Sequence, residues 1–490
     1  MTRGYWAKLL ELIVCFLGKR VKNFMTKEHD NKKANHFFFD SFPIGFWYCI
    51  LSYMNILLIG NGGREHAIAK ALLRSSQQPK LYVFANKVNP GLRDLAEKYR
   101  YASSLSDLEE LREFAERIKP DFAIIGPDNP IAEGVADFLE TLGIPSVAPK
   151  KAPAQLESSK YFTRLLLEKH FIPGNPRFRQ FTSEAGVMEF LQELGEHYVV
   201  KADGLAYGKG VKVSGDHLRN HEEALKFVRE CLAVHPSVVL EEKLEGVEFS
   251  LMAFADGEHL AFMPAVQDHK RAFEGDEGPN TGGMGSYSAA DHSMPFLTDE
   301  DVDMACHISQ EVLKAVKEET GQAFKGILYG GFMATKDGVK LIEYNVRFGD
   351  PEAMNVLPLL ETDFVEVCQA IIAGTLNKLP VKFSAKATVC LYVVPEGYPD
   401  DSMVDEPLQI GEMPEGVELF YSSVNEKDGQ VVTTSSRSIG VVGIADSIEE
   451  ARLKAVEGVS NISGKIFYRK DIGSPELIGK RVEMMQQIRG

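Results

Sequence analysis

The stretch "LIEYNVRFGDPEAM" (residues 341–354) predicts a β-strand with an unusual face. Side chains alternate along a strand with a period of two. Glu343, Asn345 and Arg347 therefore project from one side, and Ile342, Tyr344 and Val346 from the other. An acid, a neutral amide and a cation in a row suit either a solvated outer face or a polar site. Taken alone, the strand favours the solvated face, and the segments elsewhere in the chain decide between the two.

Two glycine-rich turns follow apolar strands. "GNGGREH" (60–66) joins "NILLIG" to a helix, where backbone N–H groups and the helix dipole favour an anion. A dinucleotide fingerprint would need its third glycine at position 65, which is Glu65, and the next strand ends in Asn86 rather than an acid. NAD-dependent oxidoreduction is therefore disfavoured against a substrate phosphate or a plain tight turn. "KADGLAYGKGV" (201–211) departs from the Walker A pattern. Three residues separate Gly204 from Gly208 and Lys209, and Gly210 stands where a Ser or Thr would hold Mg²⁺. Its glycines suit a lid that lays N–H donors over a polyphosphate, with an ordinary hairpin as the alternative. "VVLEEKLEGVEFS" (238–250) sets Glu241, Glu242 and Glu248 after an apolar strand. "QDHKR" (267–271) and "GPNTGGMG" (278–285) read as a functional loop region. His269 has no second histidine at metal-ligand spacing.

At 490 residues the chain is long enough for about three domains. Its net charge of −16 argues against a nucleic-acid or anionic-membrane partner. The six cysteines show neither zinc nor disulfide spacing, which fits a reducing cytoplasm. Residues 1–53 differ from the remainder. They hold both tryptophans and carry +4, leaving −20 for residues 54–490. Their two apolar runs are about ten residues each, short of a membrane span. Translation is expected to start at Met54, with 1–53 an upstream-start artefact or dispensable leader and a targeting peptide the lesser alternative. From 54 to about 150, strands alternate with helices, the pattern of a doubly wound parallel sheet. Mixed elements run to about 375, and short strands with one helix follow from about 385.

In this order, "GNGGREH", "ESSK", "KADGLAYGKGV", "LEEKLEGVE", "QDHKR", "GPNTGGMG", "IEYNVRFGDPE" and "YRKDIG" resemble the phosphoribosylamine–glycine ligase family of the ATP-grasp superfamily. The resemblance spans essentially all of 54–490, and "RFGDPE" with "GPNTGGMG" is its most specific part. It implies an α/β chain with a Rossmann-like domain at 54–155, an ATP-grasp domain at 156–378 (lid about 175–245) and a small β-rich domain at 379–490. The implied reaction joins glycine to 5-phosphoribosylamine with ATP as co-substrate and Mg²⁺ or Mn²⁺ as cofactor, in de novo purine synthesis. A cytoplasmic monomer with small-molecule substrates and no nucleic-acid or membrane partner is expected.

By the same resemblance, Lys160 and Lys201 would face the ATP phosphates beneath a lid formed by Gly204, Gly208, Lys209 and Gly210. Glu241 to Leu244 would offer backbone to adenine, and Glu248 would hold the ribose. Glu343 and Asn345 would bind the metal. Asp268 would meet a substrate amine, and Arg347 a carboxylate or acyl phosphate. Asn280, Thr281 and Gly282 would line the cleft, and Asn61, Gly62, Gly63 and Arg64 would face the phosphoribosyl phosphate. The family pattern has Gln or Glu where this chain has Met354, so one polar contact is expected to be missing there. Tyr207 replaces a usually small lid residue. Another ATP-grasp ligase or carboxylase is the nearest alternative, and a catalytically dead nucleotide-binding protein is a more distant one.

Overall fold

The computed structural model describes residues 54–205 and 210–490. Residues 1–53 and four members of the lid segment, Ala206 to Lys209, lie outside the described residues, and with them the expectations for the leader, Tyr207, Gly208 and Lys209.

The chain opens on a five-stranded parallel sheet: β1 (Asn55–Ile59), β2 (Lys80–Ala85), β3 (Lys98–Tyr101), β4 (Phe122–Ile125) and β5 (Ser146–Val147), in the order β3-β2-β1-β4-β5. Ile56 to Ile59 are all buried, as expected for a central strand covered on both faces. Strand order reverses between β1 and β4, so a crevice opens beyond their C-terminal ends. The 60–62 turn, helix Gly63–Leu73 and Gly126 stand there.

Next come β6 (Phe178–Phe181), β7 (Tyr198–Ala202), β8 (Val211–Val213) and β9 (Val238–Glu242), an antiparallel sheet in the order β6-β9-β7-β8. Helices Val187–Leu194 and His221–Leu232 contribute to a small core separate from the main one. β10 (Gly246–Asp256) and β11 (Leu260–Phe262) precede four short strands: β12 (Gln267–Asp268), β13 (Arg271–Phe273), β14 (Glu277–Asn280) and β15 (Gly285–Ser288). β16 (Lys325–Thr335) and β17 (Gly338–Asn345) then complete a second antiparallel sheet, β11-β10-β16-β17.

β12 pairs with β15, and β15 pairs with β18 (Ala387–Pro395), the central strand of a six-stranded sheet built mostly from the C-terminal segment. The boundary expected at 378/379 is therefore bridged by hydrogen bonds. One continuous core joins the N-terminal, central and C-terminal parts. The result is a mixed α/β fold. Among the described residues no helix is long and apolar enough to cross a membrane.

β17 is less regular than its sequence predicts. Its pairing with β16 steps from Phe332–Leu341 to Gly331–Glu343, so Ile342 is the extra residue of a β-bulge. The strand ends at Asn345, and Arg347 lies in the bend that follows. The expected alternation thus holds only from Glu343 to Asn345, with Tyr344 buried behind them.

Candidate active site

The bulge has a cause on the neighbouring elements. Successive carbonyls of a regular strand point in opposite directions, yet here one guanidinium reaches two of them. Arg164, on helix Lys160–Lys169, donates to the carbonyls of Leu341 (2.9 Å) and Ile342 (2.6 Å). It also grips Glu241 through Nε (2.6 Å) and Nη2 (2.9 Å). Lys201 Nζ lies 2.8 Å from Glu241 Oε2, the oxygen that Arg164 Nη2 also binds, and donates to the Ile342 carbonyl at 3.0 Å. Burial pushes the Lys201 amine down, with Glu241 opposing it. Burial alone would raise the Glu241 carboxyl, but Arg164 and Lys201 hold it below its ordinary value. Two cations share one buried acid, leaving a net positive charge beside the bulge.

This network corrects the expectation for Glu241. It sits between β6 and β7 in the middle of its sheet, and its carboxylate faces Arg164 and Lys201, so its backbone is not free for adenine. Leu244 lies past the strand, and among the described residues its backbone N–H has no protein acceptor.

Glu343 follows the bulge. Burial would raise its carboxyl, but Lys160, Lys270, Lys201 and Arg347 together hold it below its usual range. Lys160 Nζ donates to the Gly204 carbonyl at 3.1 Å, tying the helix start to the root of the lid. A narrow cavity lined by Glu157, Lys160, Arg164, Ile342 and Glu343 lies between them. Asn345 Oδ1 accepts from Arg347 Nη2 at 2.9 Å, which also pairs with Glu157 at 2.8 Å.

Asp268 ends β12 close to this face. Its Oδ1 is sealed from solvent and has no hydrogen-bond partner among the described residues. Burial raises its carboxyl well above the ordinary value and nearby Glu352 adds to this, with Lys270 and Arg437 opposing. Gly283 makes the close approach possible: its φ is +110°, and a Cβ there would lie 2.6 Å from Asp268 Oδ1. Glu352 accepts the Tyr329 hydroxyl at 2.7 Å. Lys270 lies 3.3 Å from Glu248, so the acid expected to hold ribose is exposed but paired. Thr281 is tied through both N–H and hydroxyl to the Lys270 carbonyl. Arg437 donates to the carbonyls of Gly282 (2.7 Å), Gly283 (3.1 Å) and Asp350 (3.0 Å). Asn280 contacts His217 Nε2 at 3.3 Å, bridging its loop to the lid. It is Asn280 Nδ2 that faces this nitrogen, while His217 Nδ1 accepts the Val213 N–H at 3.2 Å.

At the N-terminal crevice, Glu65 occupies the space a dinucleotide would need. Its carboxylate accepts the Gly62 N–H at 2.5 Å and Arg64 Nε at 2.6 Å. A Cβ on Gly126 would lie 2.1 Å from it. The Gly62 N–H is engaged by Glu65, while Asn61 Oδ1 is buried without a partner among the described residues. Arg64 reaches the Phe348 carbonyl at 3.2 Å, so this turn and the 347–351 bend meet.

The structure thus gathers Lys160, Lys201, Glu343, Asn345, Arg347 and Asp268 around one region. Met354 lies elsewhere: it is wholly buried against Gly440, so the position expected to lack a polar contact is part of the core. Several polar residues here escaped the sequence reading. Glu157 and Glu352 lay within quoted motifs, but a motif does not say which of its acids faces inward. Arg164, Tyr329 and Arg437 carried no local signal.

Whether a metal suits these residues is answered by donor chemistry. Glu343 offers a carboxylate with no hydrogen bond or ion pair to a described residue, and the Asn345 amide oxygen has a second lone pair beyond the one facing Arg347. Both are hard oxygen donors of the kind Mg²⁺ takes alongside phosphate and water. Among the described residues no group of three or more His, Cys, Asp or Glu forms a metal cluster. The fit is to a cation held partly by its substrate.

Comparison with known proteins covers this part of the chain. The chain matches the domains described as phosphoribosylglycinamide synthetase N domain over 54–157, ATP-grasp (A) domain over 158–353 and C domain over 388–475. The phosphoribosylamine–glycine ligase of Methanocaldococcus jannaschii is 50% identical over 446 residues, covering 89% of this chain and 100% of that protein. The same-named protein of Methanocella arvoryzae is 48% identical over 437 residues, with the same coverage of each. A crystal structure of phosphoribosylamine–glycine ligase from Thermotoga maritima superposes with a TM-score of 0.73 at 30% identity, covering 86% of this chain and 100% of that one. A biotin carboxylase–nucleotide complex from Campylobacter jejuni shares the fold alone, with a TM-score of 0.66 at 15% identity over 89% of this chain and 99% of that one. The chain belongs to the phosphoribosylglycinamide synthetase family of ATP-grasp ligases.

Proposed function

We propose that this protein ligates glycine to 5-phosphoribosylamine, forming glycinamide ribonucleotide, ADP and phosphate in purine biosynthesis. A carboxylate is a poor acyl donor, so the glycine carboxylate first takes the γ-phosphoryl group of ATP, giving glycyl phosphate and ADP. The phosphoribosylamine nitrogen then attacks the acyl carbon, loses a proton, and phosphate leaves.

The first step brings two anions together, so fixed cations matter most. The observation that carries the reading is the charge arrangement around β17: one carboxylate, Glu343, held ionised among Lys160, Lys201, Lys270 and Arg347. Lys160 and Lys201 would neutralise the triphosphate. The loop from Gly204 to Gly210 would close over it and exclude water from the acyl phosphate. The Leu244 backbone would meet adenine, and Glu248 would exchange Lys270 for the ribose hydroxyls. Glu343 and Asn345 would hold Mg²⁺ or Mn²⁺, which supplies charge neutralisation at the transferred phosphoryl group when bound. Arg347 would receive the glycine carboxylate and Asp268 a substrate amine. The Asn61, Gly63 and Arg64 turn and the Asn280 to Gly282 loop would flank the phosphoribosyl end. A cytoplasmic monomer completes the reading.

The test is ADP release by the full chain with freshly generated phosphoribosylamine, with and without glycine. Release requiring both substrates is expected. Release independent of glycine, or supported equally by bicarbonate, would overturn the assignment.

A further inference from the structure

Glu157 stands on the four-residue helix Gln155–Ser158, in the "ESSK" stretch that also supplies Lys160, and none of the roles above uses it. Its side chain is 5% exposed. One carboxylate oxygen accepts the Val346 N–H at 2.8 Å, and the other accepts Arg347 Nη2 at 2.8 Å. Val346 is the first residue past β17. A single acid therefore grips the backbone where the strand ends and the guanidinium one residue later.

A guanidinium presents its N–H groups in a rigid planar fork, so fixing two nitrogens fixes its plane. Arg347 Nη2 is shared between Glu157 and Asn345, and Nη1 donates to the Phe348 carbonyl at 3.3 Å. The Nε–H is left without a partner. Asp128 and Glu352 also act on Arg347 through their charge, but neither hydrogen-bonds to it, so they add field without orientation. Burial pushes the Glu157 carboxyl up, with Arg347 opposing. The site therefore retains an acid whose burial is unfavourable apart from these contacts.

We propose that Glu157 is a positioning residue: by holding the Val346 N–H and Arg347 Nη2 together, it fixes the orientation in which Arg347 receives the glycine carboxylate and then the acyl phosphate. This rests on the ligase reading. Steady-state ADP release, with glycine and ATP varied separately, is compared for the wild type, E157Q, E157D, R347K and E157Q/R347K.

E157Q is expected to lower kcat/KM for glycine roughly tenfold to a hundredfold, leaving KM for ATP within about twofold. E157D, charged but one methylene too short to span both partners, should fall in between. Because Glu157 acts through Arg347, E157Q should add less than about threefold to the R347K defect. Independent, multiplying defects would overturn the proposal. So would a parallel rise in both KM values with a lowered unfolding midpoint, which marks a merely structural role. Should E157Q not fold, E157D against the wild type carries the same split. A wild type without glycine-dependent ADP release overturns the ligase reading and this proposal together, whereas an active wild type with multiplying defects overturns only the positioning role.

Discussion

Replacing Arg164 by methionine tests the charge arithmetic behind β17. The side chain is 2% exposed and its partner Glu241 4%. It makes two bonds to Glu241 and one each to the Leu341 and Ile342 carbonyls. Methionine fills much of the volume and makes none of the four. Removing one member of a buried ion pair costs about 3–5 kcal/mol. Glu241 retains only Lys201, so the net positive charge at the bulge disappears. Lys201 is then drawn fully to the acid, and KM for ATP should rise about tenfold, the equivalent of one weakened charge-assisted bond. Urea unfolding gives the stability and ADP release gives the KM. The double variant R164M/E241Q leaves Lys201 a buried cation without its acid and should lose about a further 3–5 kcal/mol relative to R164M. A loss below about 1 kcal/mol for R164M would refute this accounting. So would a double variant as stable as the single one.

D268N should abolish glycine-dependent turnover yet stabilise the fold at alkaline pH. The Asp268 carboxyl is raised by burial and by Glu352, so the folded chain binds the proton more tightly than the unfolded one. Stability is therefore lost as pH rises from the ordinary carboxylate range through the raised value, and D268N escapes that loss. Urea midpoints at pH 5 and 8.5 check it, and equal shifts at both would count against it. His66 has the opposite dependence. Burial lowers it to about 3 while its Nδ1 accepts the Tyr421 N–H at 2.9 Å, so stability falls as pH drops below about 6.5 toward that value. H66Q should flatten this slope between pH 7 and 5, and an unchanged slope would exclude His66 as its source. E343Q and N345L should each raise the Mg²⁺ concentration needed for half-maximal turnover, and an unaltered Mg²⁺ titration would remove them from the metal site. A chain beginning at Met54 should retain full ADP release, and its failure to fold would make residues 1–53 structural.

Much of the architecture was legible in local pattern. The near-continuous apolar run of β1 and the alternation of strands with helices identify a parallel sheet, because periodicity and burial are set by neighbours close in sequence. The motif order pointed to the ligase family, and the even spacing of Glu343 and Asn345 placed both on one side. Other features have no local signature. The Ile342 bulge is imposed by Arg164 and Lys201, 178 and 141 residues away in the chain. The pairing of β15 with β18 joins segments about a hundred residues apart. The same holds for which acids are ionised: Glu343, held low by four cations, and Asp268, pushed up beside Glu352, are both carboxylates on β-strands. The residue types and their order along the chain were enough to indicate the family and the chemistry. Burial and the long-range placement of charge, which act through space, assigned each acid its state and gave Glu157, Arg164 and Arg437 their partners.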